Sequence, residues 1–514
     1  MQALAKRDTI DRFRADLQRR SDMERMKDTV LRFLDVSGTS MGRGSFYNTQ
    51  RQQQEAEDKL HRDLFEMDRG LYGLMLALPG TTDRTKQLGL ATLLSGRGGQ
   101  TILPDGITAT MTKLIITQLP PHRMLKMFKD FRARRINNGS TRRLILRSIL
   151  DAKKLELWTV KYRRLIRLAL EHALGRKISC VIRKILCKPS MSDDDLSFVR
   201  KHLKRTTPKV LECVCFALGG TREWHCSLLK SYEAAKTDFS ALKRLPTEVA
   251  EGLRSVYHRG RTHKQVLELT KHTMTAGQRM VVQRSAKAKG VTVTFNPMDG
   301  QYDITRLYIY AAERGLSEVS DAIAKKAKRA ADAIPVRYDT VGIIVDCSQS
   351  MQGSSKQKLR PVSAAFALRD VLGYTANKRA VCLQAGGRFK PGFPALPEGH
   401  TNLARELVDM LEKYKPDCVY IITDGYENQP AGRLSEVVTA LRTIGVSIPI
   451  MQFSPVFGAE SQGVRRLDNT VQAIPFQKAE AMGPGMVKGL IETNPVEGLV
   501  ALASMALPMI EYKG

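Results

Sequence analysis

The chain has 514 residues, of which 42% are hydrophobic and 26% charged, with 82 Lys and Arg against 52 Asp and Glu and a formal net charge of +30. That length exceeds one ordinary core, so two or more domains are expected. No apolar run is long enough to span a bilayer, and Met1 to Asp8 hold no apolar signal-peptide core.

The N-terminal two thirds read as helical. Residues 1–35 alternate charged and apolar groups at helical spacing, residues 37–50 read as a flexible loop, and residues 51–94 return to helix. Turns are expected at 95–100 and 103–106. From about residue 106 to 285 helix follows helix, broken at Pro120-Pro121, Asn137 to Gly139, Lys188-Pro189 and Thr207-Pro208. Helices of moderate length with short breaks predict a helical-repeat array without a fixed period. Val291 to Phe295 is a short β-like run. Residues 317–333 read as a helix with Glu318 and Asp321 early and Lys325, Lys326, Lys328 and Arg329 late, which suits the helix dipole. A domain boundary is expected near Arg337, giving domains 1–337 and 338–514.

Beyond that boundary the period changes. Apolar runs at Val341–Val345, Ala380–Leu383, Val419–Ile422, Ile448–Phe453 and Val471–Ile474 alternate with helices at Val362–Leu372, Leu403–Lys413 and Leu434–Ile444. Fully apolar strands alternating with helices predict an α/β domain whose parallel sheet is covered on both faces. Ligands of such sheets bind beyond the carboxyl ends of the strands. Three motifs fall there: Asp346-x-Ser348-x-Ser350, Thr401, and Asp424-Gly425. They supply five hard oxygen donors, which suit a divalent cation, and few protein ligands with several waters favour Mg²⁺. With two carboxylates neutralising the ion, an open position can accept a partner's carboxylate. A hydrolytic metal site would need a general base, for which Glu427 is the near candidate; a solvent-facing glutamate is the simpler expectation.

The charge is one-sided. Residues 338–514 hold 18 Lys and Arg against 17 Asp and Glu, whereas residues 1–337 hold 64 against 35. Such an excess points to a polyanion. Candidate phosphate-contacting residues are Arg142, Arg143, Arg147, Arg163, Arg164, Arg167, Lys201, Lys204, Arg205, Arg259, Arg261, His263 and Lys264. On one continuous helix Trp158, Tyr162, Leu165 and Ala169 would share a face opposite Arg163, Arg164 and Arg167. Further clusters are Arg176-Lys177 with Arg183-Lys184, and Arg279, Arg284, Lys287 and Lys289. Aromatic residues are only 6%, which disfavours a base-stacking platform and favours backbone and shape recognition of structured RNA. No Gly-x-x-x-x-Gly-Lys-Ser/Thr motif occurs, so no P-loop ATPase is expected.

The eight cysteines, Cys180, Cys187, Cys213, Cys215, Cys226, Cys347, Cys382 and Cys418, are too sparse for a disulfide framework, and a reducing cytoplasm is expected. Cys213, Cys215, His225 and Cys226 fit no zinc-finger spacing and read as buried thiols.

The three oxygen motifs resemble the von Willebrand factor A domain and its metal-ion-dependent adhesion site, over residues 338–514. Asp346, Ser348 and Ser350 match its first motif, Thr401 the second and Asp424 the third. A basic helical region ahead of such a domain resembles the Ro autoantigen and its bacterial relatives. That resemblance implies HEAT-like repeats of the TROVE type closed into a ring and clasped by the A domain. It also implies binding of misfolded RNAs and small Y RNAs. The resulting expectation is a non-enzymatic, cytoplasmic RNA-binding protein with a Mg²⁺ site for a protein partner such as a nuclease, and with no membrane partner. The alternative is an adaptor of an AAA+ ATPase, of the chelatase or MoxR type, with a helical scaffold.

Overall fold

A computed structural model describes residues 2–39, 49–95, 101, 105–299, 302–334, 336–355, 358–427, 429–455 and 465–507. Most of the loop expected at 37–50 and of the turn at 95–100 lies outside the described residues; the helix Met23–Thr39 takes up the start of that loop. The chain is helix-rich with a parallel five-stranded sheet in its C-terminal part, as the alternation of apolar runs predicts. Among the described residues no helix is long and apolar enough to cross a membrane.

Compactness divides the chain differently from the expected cut at residue 337. One unit comprises residues 1–93, 97–115 and 297–514, and the other 94–96 and 116–296. The reason lies in what the flanking helices bury. The helix Gln2–Gln18 packs on Pro495–Ala506, where Arg14 Nε donates to Glu497 Oε1 at 2.9 Å. Lys488, only 3% exposed, donates to Asp35 Oδ1 at 2.7 Å and to the Ala473 carbonyl at 3.1 Å. The helix Ile304–Arg314 packs on Arg360–Gly373, with Tyr308, Phe366 and Phe393 in ring contact.

The sheet-bearing unit has strands β1 (Tyr338–Asp346), β2 (Ala376–Ala385), β3 (Arg388–Lys390), β4 (Phe393–Leu396), β5 (Cys418–Ile422), β6 (Ile450–Pro455) and β7 (Gln472–Phe476). The sheet order is β2-β1-β5-β6-β7, every pairing parallel, with Val345 beside Ile422 in register. Ile344, Val419 and Ile421 face the helices Leu403–Tyr414 and Arg433–Thr443 through Leu403, Leu407, Met410, Leu434 and Val438. Ile343 and Val345, pointing the other way, are also buried, so both faces are covered. A Cβ on Gly342 would come within 2.9 Å of the Met410 side chain, which would have to move to admit one. The antiparallel β3–β4 hairpin is absent from the strand reading; its strands are too short to leave a period.

The second unit is all helical, with α-helices from Pro121–Ala133 to Ala276–Ala288 and the 3₁₀ turn Phe239–Arg244. Its breaks are chemically marked. Ser192, Thr262 and Thr275 make capping boxes with Asp195, Gln265 and Gln278, and Pro121 and Pro208 open their helices. Two expectations fail here. Val291 to Phe295 pairs with no strand; Val291 and Val293 instead alternate into a core with Leu267, Met274 and Ala286. The helix expected through Trp158 and Ala169 is broken at Tyr162, leaving Leu155–Lys161 and Arg163–Leu174. Ile166, Ala169 and Leu170 are then the buried face, while Trp158, Tyr162 and Leu165 are half-buried.

His61 in the helix Gln50–Met67 of the sheet-bearing unit is 2% exposed, with Nδ1 2.5 Å from the Tyr72 hydroxyl and its ring edge-on to Phe33. Burial pushes its pKa down to about 3. The unfolded imidazole takes a proton near its ordinary 6.5 while the folded one stays neutral, so stability is lost as pH falls below that value. Between roughly pH 6 and pH 4 the wild type should lose about 1.4 kcal/mol per pH unit relative to His61→Gln. Urea unfolding read by amide exchange in Gln50–Met67 measures the difference.

Candidate metal centre and basic helical surface

The chain passes from β1 outward to β2 and later returns to the other side of β1 as β5, so β1 and β5 flank the point where the strand order reverses. Loops leaving such a pair diverge and open a crevice at the strands' carboxyl ends. Asp346 ends β1 and Asp424 follows β5 by two residues. All five predicted donors are accounted for around this crevice.

Asp346 is fully buried. Its Oδ1 accepts the Ser348 amide at 2.9 Å and the Thr401 hydroxyl at 3.3 Å, and its Oδ2 accepts the Thr423 hydroxyl at 2.6 Å. The Ser348 and Ser350 hydroxyls are 3.0 Å apart, and Ser350 favours the charged form of Asp424. Ser348 and Thr401 are buried, Asp424 is half-buried, and Ser350 is exposed at the mouth. The loops are tied by backbone bonds, Gln349 N–H to Gly399 O at 3.1 Å and Gln429 N–H to Thr401 O at 3.3 Å. Burial pushes the Asp346 carboxyl up to about 6, with neighbouring Asp424 adding to the shift, and burial also raises Asp424.

The donor set fits a hard divalent cation. Two carboxylates share the crevice, and neither has a Lys or Arg within ion-pair distance among the described residues. Such a pair calls for positive charge from outside. Among the described residues no three His, Cys, Asp or Glu side chains cluster, so an ion here would need the hydroxyls as ligands beside the two Asp groups. Asp346, Ser348, Ser350, Thr401 and Asp424 would hold the ion, which would supply a Lewis-acidic point at the mouth.

Two residues differ from the sequence expectation. Thr423 was missed; its position just before Asp424 at the end of a buried strand was the available signal. Glu427 is not solvent-facing. It is 9% exposed and its Oε2 accepts the Leu434 amide at 2.9 Å, at the start of the helix Arg433–Thr443. Through that bond it braces a helix end, and burial raises its pKa.

In the helical unit the predicted cations divide into two groups. Arg163 donates to the Phe216 carbonyl at 3.0 Å and lies 4.1 Å over the Phe216 ring. Arg167 pairs with Glu171 at 2.9 Å, Arg205 with Asp151 at 2.8 Å, and His263 with Glu251 at 2.9 Å; Arg147 is 3.8 Å from Asp151. Arg142 donates to Asn137 at 2.9 Å, Arg143 to the Gly139 carbonyl at 3.3 Å, and Arg261 stacks on Phe239 at 5.2 Å. Arg164, Lys201, Lys204, Arg259 and Lys264 are exposed with no ion pair among the described residues. Arg176, Lys177 and Lys184 on Arg176–Leu186 are equally open, and Arg183 is half-buried. That helix carries one of the further clusters named from the sequence. Its signal is the lack of any Asp or Glu between Glu171 and Asp193. The Arg284 side chain lies outside the described residues.

Of the cysteines, Cys213 and Cys215 are buried as expected, with Cys215 Sγ 3.8 Å from Cys187 Sγ. Glu212 beside them is already bonded to the amides of His225 and Cys226 at 2.9 and 2.8 Å. No family model, no curated protein and no solved structure matches the chain.

Thr423→Val removes the donor to a buried carboxylate oxygen at nearly constant volume. It should cost about 1–3 kcal/mol in urea unfolding of the sheet-bearing unit, with Thr423→Ser near wild type. An unchanged Thr423→Val would mean that Asp346 does not depend on this bond.

Proposed function

We propose that the chain is a non-enzymatic RNA-binding protein of the Ro type, in which the helical part holds RNA and the sheet-bearing part binds Mg²⁺ and a protein partner. In this reading the helices are degenerate HEAT-like repeats of a ring, and the sheet belongs to a von Willebrand A domain. The observation that carries it is the distribution of charge over the compact units. Residues 94–96 and 116–296 hold 39 Lys and Arg against 14 Asp and Glu, a net of +25; the remaining residues hold 43 against 38. Like charges at that density oppose compaction and attract a polyanion.

The open cations on Arg176–Leu186 and at Lys201 and Lys204 are the better candidates for phosphate contact. Arg163 serves packing, and Arg167 and Arg205 are already paired. A cation with no acid partner has no ion pair to give up when it binds phosphate.

RNA affinity should fall steeply with salt, and Arg176→Ala with Lys177→Ala and Lys184→Ala should lower the log–log slope by about 2 for single-stranded RNA. Filter binding across a salt series measures this, and a flat response in the wild type counts against RNA. Asp346→Ala should abolish Mg²⁺ binding in calorimetry and leave RNA affinity within about twofold, because the two sites draw on different residues.

A further inference from the structure

Beside the candidate ion site stands a cation with a built support. Gln452 on β6 is fully buried, and all its polar atoms are engaged. Its Nε2 donates to Ser454 Oγ at 3.0 Å and to the Arg465 carbonyl at 2.8 Å, while its Oε1 accepts the Leu467 amide at 2.9 Å. The Arg465 backbone is thereby pinned against Gly425. A Cβ on Gly425 would lie 2.8 Å from the Arg465 carbonyl, and Gly425 has φ +86°, so the residue after Asp424 must be glycine for this approach. The Arg465 guanidinium then lies 4.2 Å over the ring of Tyr426, whose amide bonds Asp424 Oδ1 at 3.2 Å. Arg465 is exposed, Tyr426 is 40% exposed, and Arg465 has no ion pair among the described residues. Its charge is nevertheless felt at Asp424.

From this geometry we infer that Arg465, stacked on Tyr426, is a recognition clamp for an acidic side chain of a protein partner bound at the ion. The inference rests on the divalent-ion reading above. A divalent ion over Asp346 and Asp424 would balance the two carboxylates, and Arg465 adds a positive charge near Asp424 that would attract a carboxylate. The planar guanidinium fork meets a planar carboxylate at two points, and stacking on Tyr426 holds the fork in place. The sheet-bearing unit is nearly balanced, with 43 Lys and Arg against 38 Asp and Glu, so it lacks the field that draws polyphosphate to the helical unit. Those observations favour an acidic protein segment over RNA at this mouth.

The test uses the full chain loaded with Mn²⁺ and reads water-proton relaxation, which senses only ligands that displace water from the ion. Peptide held elsewhere by the helical unit's cations is silent. Acetyl-Ala-Glu-Ala-amide should lower the relaxation enhancement saturably, and acetyl-Ala-Gln-Ala-amide should not. Arg465→Ala should weaken the glutamyl peptide at least about tenfold, the lower end expected for losing charge-assisted hydrogen bonds, with Arg465→Lys intermediate and Mn²⁺ affinity within about threefold of wild type. Equal action of the two peptides, or a glutamyl effect indifferent to Arg465→Ala, overturns the clamp. An Arg465-dependent effect of oligouridylate without one from the peptide gives the mouth to RNA and overturns it likewise. If Mn²⁺ produces no enhancement on the wild-type chain, the ion reading falls and the clamp with it, whereas enhancement untouched by the peptide removes the clamp alone.

Discussion

The Asp346 carboxylate organises the sheet-bearing unit. Fully buried at the end of β1, it is tolerable there only because each oxygen is met by a donor. Those donors come from its own loop, from the Thr401 loop and from the end of β5. Satisfying one buried group therefore draws three separate chain segments together. The same convergence sets Ser348, Ser350 and Asp424 around a common space, so the arrangement of hard oxygens follows from hydrogen bonding alone. Glu427, gathering the Leu434 amide, and the Gln429–Thr401 backbone bond fix the outer parts of the loops.

Much of this was legible in the residues. Fully apolar runs can be buried on both sides only in a covered parallel sheet, and the runs ending at Val345 and Ile422 place their following carboxylates at the reversal of strand order. What escaped has physical causes. The β3–β4 strands are too short to show a period. Val291 and Val293 alternate as a strand would, but their partners are helical side chains. The break at Tyr162 lacks Pro or Gly, so nothing in the residue types announced it. Glu427 looked like a surface charge because its partners are backbone amides, which no residue pattern displays. The compact units depart from a cut at residue 337 for a related reason. A change of period at 337 marks where strands begin, but compactness depends on which helices bury against them, and those contacts join residues hundreds of positions apart.

Cations show the same lesson at finer grain. Clusters of Lys and Arg look alike in sequence, yet Arg163 is spent on the Phe216 ring and Arg167 and Arg205 on acids. Arg176–Leu186 differs because its chain neighbourhood holds no acid at all. The absence of compensating charge is a better guide to an available surface than the density of positive charge. Exposed pairs are worth little in stability, so paired cations are not locked, but each must give up a partner before it meets phosphate.

The sheet-bearing unit is assembled from pieces that flank the helical one, and its closing contacts span 483 residues at Arg14–Glu497 and 453 at Asp35–Lys488. During translation residues 116–296 leave the ribosome as one uninterrupted block, and their helices can pack at once. The helix Gln2–Gln18 has to wait, its apolar face uncovered, until Pro495–Ala506 emerges. A nascent chain halted before that point carries a complete cation-rich block while the sheet-bearing unit still lacks a closing helix, so the two units mature in sequence rather than together.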